Sequence, residues 1–138
     1  MTKTLYDTGL ETELQELYIQ VTHWLQDISF LESETLFFRK GIDSYLPEAT
    51  PPTDKSRFLL MINGQEKQLE ALKIKISEFL TLIEPYISDL KKEMNFRLLE
   101  QYNNLQTELQ ELFADVRSTK KELFRYTKST LSPANAIL

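Results

Sequence analysis

The stretch from Leu10 to Tyr45 limits what this chain can fold into more than any other part of the sequence. Its seam residues recur at alternating steps of four and three: Leu10, Leu14, Leu17, Val21, Trp24, Ile28, Leu31, Thr35, Phe38, Ile42 and Tyr45. This heptad spacing keeps one stripe of a helix facing the same neighbour. The remaining positions are mostly polar or acidic, so the pattern predicts a long amphipathic helix that packs against partner helices and does not cross a membrane.

Two further seams follow with the same spacing. The second consists of Phe58, Ile62, Gln65, Leu69, Leu72, Ile76, Phe79, Ile83, Tyr86 and Leu90. The third consists of Leu98, Tyr102, Leu105, Leu109, Leu112, Val116, Thr119, Leu123 and Tyr126. The third seam is offset by one residue from the second, which indicates a turn between them, near residues 93–96.

These seams predict an all-α fold, a long three-helix up-down-up antiparallel bundle. We expect helices at about 9–46, 54–92 and 96–129, followed by an extended tail at 130–138, all in a single domain spanning 1–138. Thr8 is a candidate cap for the first helix, and Thr53 or Asp54 for the second. Between these two helices, the prolines of the segment from Pro47 to Pro52 cannot continue a helix.

A four-helix bundle is the alternative, with breaks at Pro85 or at Asn63-Gly64. Proline disrupts helix interiors, and Asn-Gly favours left-handed turn geometry. Because the second seam keeps its phase through both positions, we favour one continuous helix there. Whether this helix ends at Pro85 or near Asn95 is left open by the sequence.

The shared seam phase also predicts which side chains meet in the middle of the bundle. We expect seven of them to be buried together: Val21, Trp24, Ile28, Leu72, Ile76, Leu105 and Leu109. Truncation of one of them should leave a cavity and destabilise the fold.

Composition narrows the class of protein. Hydrophobic residues make up 41% of the 138 residues and charged residues 27%, which is typical of a folded globular chain. The absence of cysteine excludes disulfides, thiolate nucleophiles and cysteine zinc sites. We therefore expect a cytoplasmic protein without a membrane-spanning segment.

Charge is distributed unevenly along the chain, whose formal net charge is −5. The only basic residue before Arg39 is Lys3, so the first helix is acidic. Basic residues cluster later, near the predicted helix ends, without forming a strongly basic domain. We therefore expect no binding of nucleic acid.

No group of residues points to catalysis. His23 is the single histidine, with Asp27 one turn further on, and the sequence supplies no Cys or activated Ser to complete a triad. There is no Gly-rich phosphate loop and no pair of Glu-x-x-His motifs for a di-iron centre. We therefore expect no catalytic residue, no metal site and no cofactor.

An excess of apolar residues near the end of the first helix points instead to a partner. Phe30, Leu36 and Phe37 lie outside the seam, and we expect them to contact a second protein surface. A homodimer would bury the same patch on both subunits. The predicted function is a non-enzymatic protein–protein interaction or scaffold module that self-associates, and any other protein partner is unknown.

The alternative function is small-molecule binding, or an unusual enzyme activity, at the same end of the bundle. Phe38, Arg57 and Arg125 are the candidate ligand residues, because the predicted helix order places an aromatic ring and two cations there. Gly64 would leave room for the Phe38 ring to approach the backbone. A third explanation for the excess is a local aromatic core.

Overall fold

The computed structural model describes residues 5–46, 51–88 and 96–137, and the side chains of 13–44, 46, 51–87 and 96–128. Three helices make up almost all of these ranges: α1 at Leu5–Tyr45, α2 at Pro52–Ser88 and α3 at Phe96–Ile137. The described ranges contain no strand. The helices pack against one another through their buried seams, which confirms the predicted all-α three-helix bundle.

The contacts divide the chain into two compact units, and each contains a segment of all three helices. The first unit combines α1 up to Ser29 with Ala71–Leu109, and the second combines Phe30–Glu70 with α3 from Gln110 onward. The first unit pairs the early part of α1 with the late part of α2, and the second unit pairs the late part of α1 with the early part of α2. The up-down-up order requires this pairing. The prediction of a single domain remains a prediction.

The core of the first unit is built from the residues that the seams predicted. Trp24 is almost fully buried, and Val21, Ile28 and Ile76 are completely so. Leu72, Leu105 and Leu109 complete the predicted set of seven, all of them buried. The burial prediction is therefore confirmed.

Trp24 stacks on the half-buried Tyr102 at the edge of this core, with ring centroids 4.9 Å apart. Burial raises the pKa of the Tyr102 hydroxyl above its ordinary value of 10.0, because an apolar environment disfavours the phenolate. The folded state therefore holds the proton more tightly than the unfolded state.

This shift predicts a loss of stability in alkali. The contribution of Tyr102 is fully present below pH about 10 and declines as pH rises towards the higher folded-state pKa. Tyr102→Phe should make the decline shallower. Unfolding followed by the fluorescence of Trp24, the only tryptophan, measures this at neutral and alkaline pH. Identical pH profiles for the two proteins would contradict the prediction.

The second unit has a core of large apolar side chains interrupted by a polar set. Its apolar part is formed by Leu31, Phe38, Ile42, Leu46, Phe58, Ile62, Leu69, Leu112 and Val116. One polar residue on each helix seam is also buried, namely Thr35, Gln65 and Thr119. Gln65 Nε2 donates to Thr119 Oγ1 at 2.7 Å, and Gln65 Oε1 is buried without a hydrogen-bond partner among the described residues.

The Gln65–Thr119 pair should respond differently to single and double replacement. Thr119→Val alone should lower the free energy of unfolding by roughly 1–3 kcal/mol, because the buried Gln65 amide loses its shorter hydrogen bond. Adding Gln65→Leu removes the buried amide, so the double variant should recover to wild-type stability or above. Urea denaturation measures both. A double variant less stable than Thr119→Val would show that the pair stabilises the fold.

The helix ends differ from prediction at three places. Helix α1 begins at Leu5, so Thr8 lies inside it and is not its cap. Helix α2 begins at Pro52, and the Pro51 carbonyl accepts the N–H of Asp54 at 3.0 Å. Proline suits this first helical position, because its missing N–H would have no partner there. Thr53 and Asp54 are therefore first-turn residues.

The third difference lies at the other end of the chain. Helix α3 continues to Ile137, so the extended tail predicted for residues 130–138 is wrong as far as Ile137. Pro133 removes one backbone hydrogen bond, but it does not prevent the residues after it from continuing a helix. Residue 138 is outside the described range.

Helix α2 runs without a break through both positions that could have ended it. Asn63-Gly64 and Pro85 all lie within Pro52–Ser88. The continuous helix is therefore confirmed, and the four-helix alternative is wrong. The predicted end at residue 92, the turn at 93–96 and Asn95 fall on residues outside the description or at its edge.

Candidate interaction surface

An apolar groove lies between the end of α1 and the later part of α3, within the second unit. It encloses about 350 Å³. We call it the aromatic groove, and it is lined by Phe37, Phe38, Gly41, Ile42, Leu46, Lys120, Leu123, Phe124 and Thr127. The heptad seams position its floor, because Phe38 and Ile42 are buried seam residues and Leu123 is a half-buried one.

Two phenylalanines form the open sides of the groove. Phe37 on α1 is 62% exposed and Phe124 on α3 is 61% exposed. The Phe37 ring makes an edge contact with the ring of Phe38 below it, with centroids 6.3 Å apart. Large apolar surface facing water is unfavourable and often marks an interaction site. The groove is therefore the strongest candidate surface among the described residues.

Lys120 is the one charged residue among the described residues that line the groove. Its Nζ lies 4.0 Å from Glu34 Oε1, which is the outer limit of an ion pair. Its side chain is about half exposed, so solvent screens this contact and the pair contributes little to stability. The ammonium can therefore also interact with an anionic group outside the bundle.

More cations surround Phe124 on α3. Arg117, Lys121 and Lys128 are all exposed, and they stand at i−7, i−3 and i+4 relative to Phe124. Residues at these spacings share one face of a helix. Together with Lys120 they give the α3 side of the groove a positive rim, which we call the basic rim.

The predicted partner residues Phe30, Leu36 and Phe37 are all exposed, but they do not form one patch. Phe30 and Phe37 are seven residues apart and share one face of α1. Leu36 instead stands three residues before Arg39, which pairs with α2. Leu36 therefore lies on the flank of α1 towards α2, whereas Phe37 lies on the flank towards α3.

The Arg39 contact is itself a feature that sequence reasoning missed. Arg39 donates from Nε and Nη2 to the two carboxylate oxygens of Glu66, at 3.2 Å and 3.0 Å, and from Nη2 to Asn63 Oδ1. This two-pronged geometry orients the end of α1 against α2. Nothing in the local pattern of α1 distinguishes Arg39 from its neighbour Lys40, so only the structure identifies the pairing.

The structure places the three predicted ligand residues on three different helices. Phe38 lines the groove, but Arg57 lies on α2 over the Phe58 ring, 4.6 Å from its centroid, with its Nη1 3.6 Å from Glu122 Oε2. Arg125 is exposed and follows Phe124 by one position, about 100° further around α3. The predicted ligand site at Phe38, Arg57 and Arg125 stays a prediction.

The predicted role of Gly64, which was to leave room for the Phe38 ring, is wrong. Gly64 is exposed, and a Cβ atom placed on it would meet nothing within 4 Å. No aromatic ring uses that space, and Phe38 packs in the core instead. The start of α2 is held to α3 by other means, since the Tyr126 hydroxyl donates to Asp54 Oδ2 at 2.9 Å and the Tyr126 ring packs edge-on against Phe58.

A second cavity, of about 420 Å³, lies between α2 and α3 in the first unit. Its lining mixes polar and apolar side chains, and the Lys75 ammonium lies 3.2 Å from Glu108 Oε1. Both side chains are about half exposed. This is a solvated surface depression, and it offers less apolar surface to a partner than the aromatic groove does.

The described residues offer no metal cluster and no membrane-spanning helix. His23 is exposed on the surface of α1. No three or more His, Cys, Asp or Glu side chains in the described parts of the chain are grouped so that they could hold a metal ion. Within the same residues, no helix combines the length and the apolar character needed to cross a membrane.

Comparison with known proteins identifies no relative of this chain. A scan against protein-family models finds no match, and searches of curated proteins and of solved structures find no significant match.

Proposed function

We propose that this chain is a non-enzymatic protein–protein interaction module that self-associates as a homodimer through the aromatic groove. The observation that carries the proposal is the pair Phe37 and Phe124, two large aromatic side chains that are both exposed and that line the same groove from α1 and α3. Fully burying a phenylalanine contributes about 1.5–3 kcal/mol, so covering both gives a substantial driving force for association.

The chemistry of the groove supports packing over catalysis. Lys120 and Thr127 are the polar side chains among its described lining, and the Thr127 hydroxyl donates to the Leu123 carbonyl at 2.8 Å. Interfaces between proteins are built around apolar and aromatic side chains of this kind, with charged groups at the rim. A second copy can bury such a surface on both subunits at once.

Light scattering over a concentration series tests the proposal. The wild-type chain should show dimer mass at micromolar concentration, and Phe124→Glu should shift it towards monomer, because it places a charge in the apolar contact. Leu60→Glu is the matched control, since Leu60 is exposed on α2 and does not line the groove. Monomer mass for the wild type, or equal dissociation by both variants, would contradict the proposal.

A second candidate function is the binding of a small apolar molecule in the same groove. Its volume of about 350 Å³ falls within the range of known ligand sites, and its lining is mostly apolar. An environment-sensitive hydrophobic dye distinguishes the two. A bound ligand would displace the dye without changing the mass of the protein, whereas self-association would exclude the dye as concentration rises.

A further inference from the structure

We infer that each copy in the assembly inserts the acidic first part of its α1 into the aromatic groove of the other copy. This inference rests on the proposed self-association and specifies which two surfaces meet. It is a contact between two different surfaces of the chain: the groove and basic rim of the second unit in one copy, and the exposed α1 side of the first unit in its partner.

The basic rim argues against the simplest alternative, in which two grooves face each other. When α3 of one copy faces α3 of the other, that arrangement brings the two basic rims together. Juxtaposed like charges are strongly unfavourable in an interface. An occupant that combines an apolar side chain with negative charge avoids this repulsion and complements the basic rim.

The first part of α1 has this combination. Ile19 is exposed, and the exposed carboxylates of Glu16 and Glu13 precede it at steps of three along one side of the helix. No basic residue other than Lys3 occurs before Arg39, so this segment carries no competing cation after Lys3. Ile19 can enter between Phe37 and Phe124 while the two carboxylates face the basic rim.

The size of the groove indicates that the contact occurs twice. The groove runs from Phe37 on α1 to Leu46 just after the helix, roughly 14 Å at 1.5 Å per residue. A standard interface buries about 800 Å² on each partner, which is more than one such groove supplies. A two-fold dimer contains the contact twice, once in each direction, and so doubles the buried area.

Charge exchange between two variants tests this mode. The rim variant carries Arg117→Glu and Lys121→Glu, which leaves the Lys120–Glu34 pair intact. The acidic-segment variant carries Glu13→Lys and Glu16→Lys. Each alone should associate at least about tenfold more weakly than wild type, because like charges then face each other. Mixed in equal amounts, the two should form a 1:1 heterodimer, because each restores the opposite charge for the other.

Matched controls reverse charges outside the contact. Lys67→Glu changes an exposed cation on α2 that does not line the groove, and Glu100→Lys changes an exposed carboxylate on α3 in the first unit. Neither should alter the mass at any concentration. Raising the salt concentration should weaken the wild-type assembly, because screening shortens the range of the attraction.

The outcomes separate this inference from the proposed function. Variants that associate as strongly as wild type, or that dissociate and do not recover when mixed, would overturn the acidic-segment contact while leaving self-association in place. A monomeric wild type would overturn both. Should a reversed variant fail to fold by circular dichroism, the neutral pair Lys121→Gln and Glu16→Gln replaces it. Each neutral variant is then expected to weaken association a few-fold, and unchanged affinity overturns the contact.

Discussion

Ile76→Ala is expected to lower the free energy of unfolding by about 2–5 kcal/mol. Ile76 is fully buried on α2 and belongs to the core of the first unit. Removing three carbons loses their burial and leaves a cavity that neighbouring side chains fill only in part. Since typical domains are stable by about 5–15 kcal/mol, this one truncation should visibly lower the denaturation midpoint.

The chain offers a matched control two positions away. Ile74 has the same chemistry and lies on the same helix, but it is 53% exposed. Ile74→Ala should change stability by no more than about 0.5 kcal/mol, as surface substitutions usually do. Urea denaturation of both variants measures the contrast. Equal effects at the two positions would mean that the assigned inner face of α2 is incorrect.

The contrast between Ile74 and Ile76 explains why so much of the fold could be predicted. Strand-like alternation from Leu72 to Ile76 gives no reason to bury one isoleucine over the other. The seam does, because Leu69, Leu72 and Ile76 follow one another at steps of three and four, the spacing of one helix stripe. A pattern repeated over many turns averages out local exceptions, so the inner stripes of all three helices follow from sequence alone.

The surface could be predicted less well, for a physical reason. A heptad seam identifies the stripe of a helix that faces inward. It does not identify which neighbouring helix lies on which side of that stripe. That choice depends on how the three helices are arranged around the core. Leu36 and Phe37 are adjacent and both apolar, yet they lie on opposite flanks of α1. The groove exists because Phe124 of α3 comes to the Phe37 side.

Long-range polar contacts were missed for the same reason. Arg57 was expected at a ligand site and instead contacts Phe58 and Glu122. The Gln65–Thr119 hydrogen bond joins residues 54 positions apart in sequence. Predicting either contact requires knowing which residues of neighbouring helices lie at the same level along the bundle. Seam patterns leave that level undetermined by about two helical turns, because each pattern repeats every seven residues.

Phe37→Glu is expected to convert the self-associated protein into a folded monomer. Phe37 is 62% exposed, so a glutamate there costs the isolated chain little, whereas in an interface it removes an aromatic contact and buries a charge. Loss of the aromatic burial alone, about 1.5–3 kcal/mol if complete, corresponds to at least roughly tenfold weaker association. Burial of the carboxylate adds to this loss.

Leu36→Glu is the sharpest control, because it places the same charge one residue earlier on the same helix. Leu36 is 49% exposed and lies on the flank towards α2, away from the groove. If the groove is the interface, Leu36→Glu keeps the wild-type mass in light scattering at micromolar concentration while Phe37→Glu loses it. Equal loss of dimer mass for both variants would indicate that the interface is a wide α1 stripe that includes Leu36. A Phe37→Glu chain that unfolds instead of dissociating would place Phe37 in the core, since a charge that disrupts only an interface leaves the helical circular dichroism of the monomer unchanged.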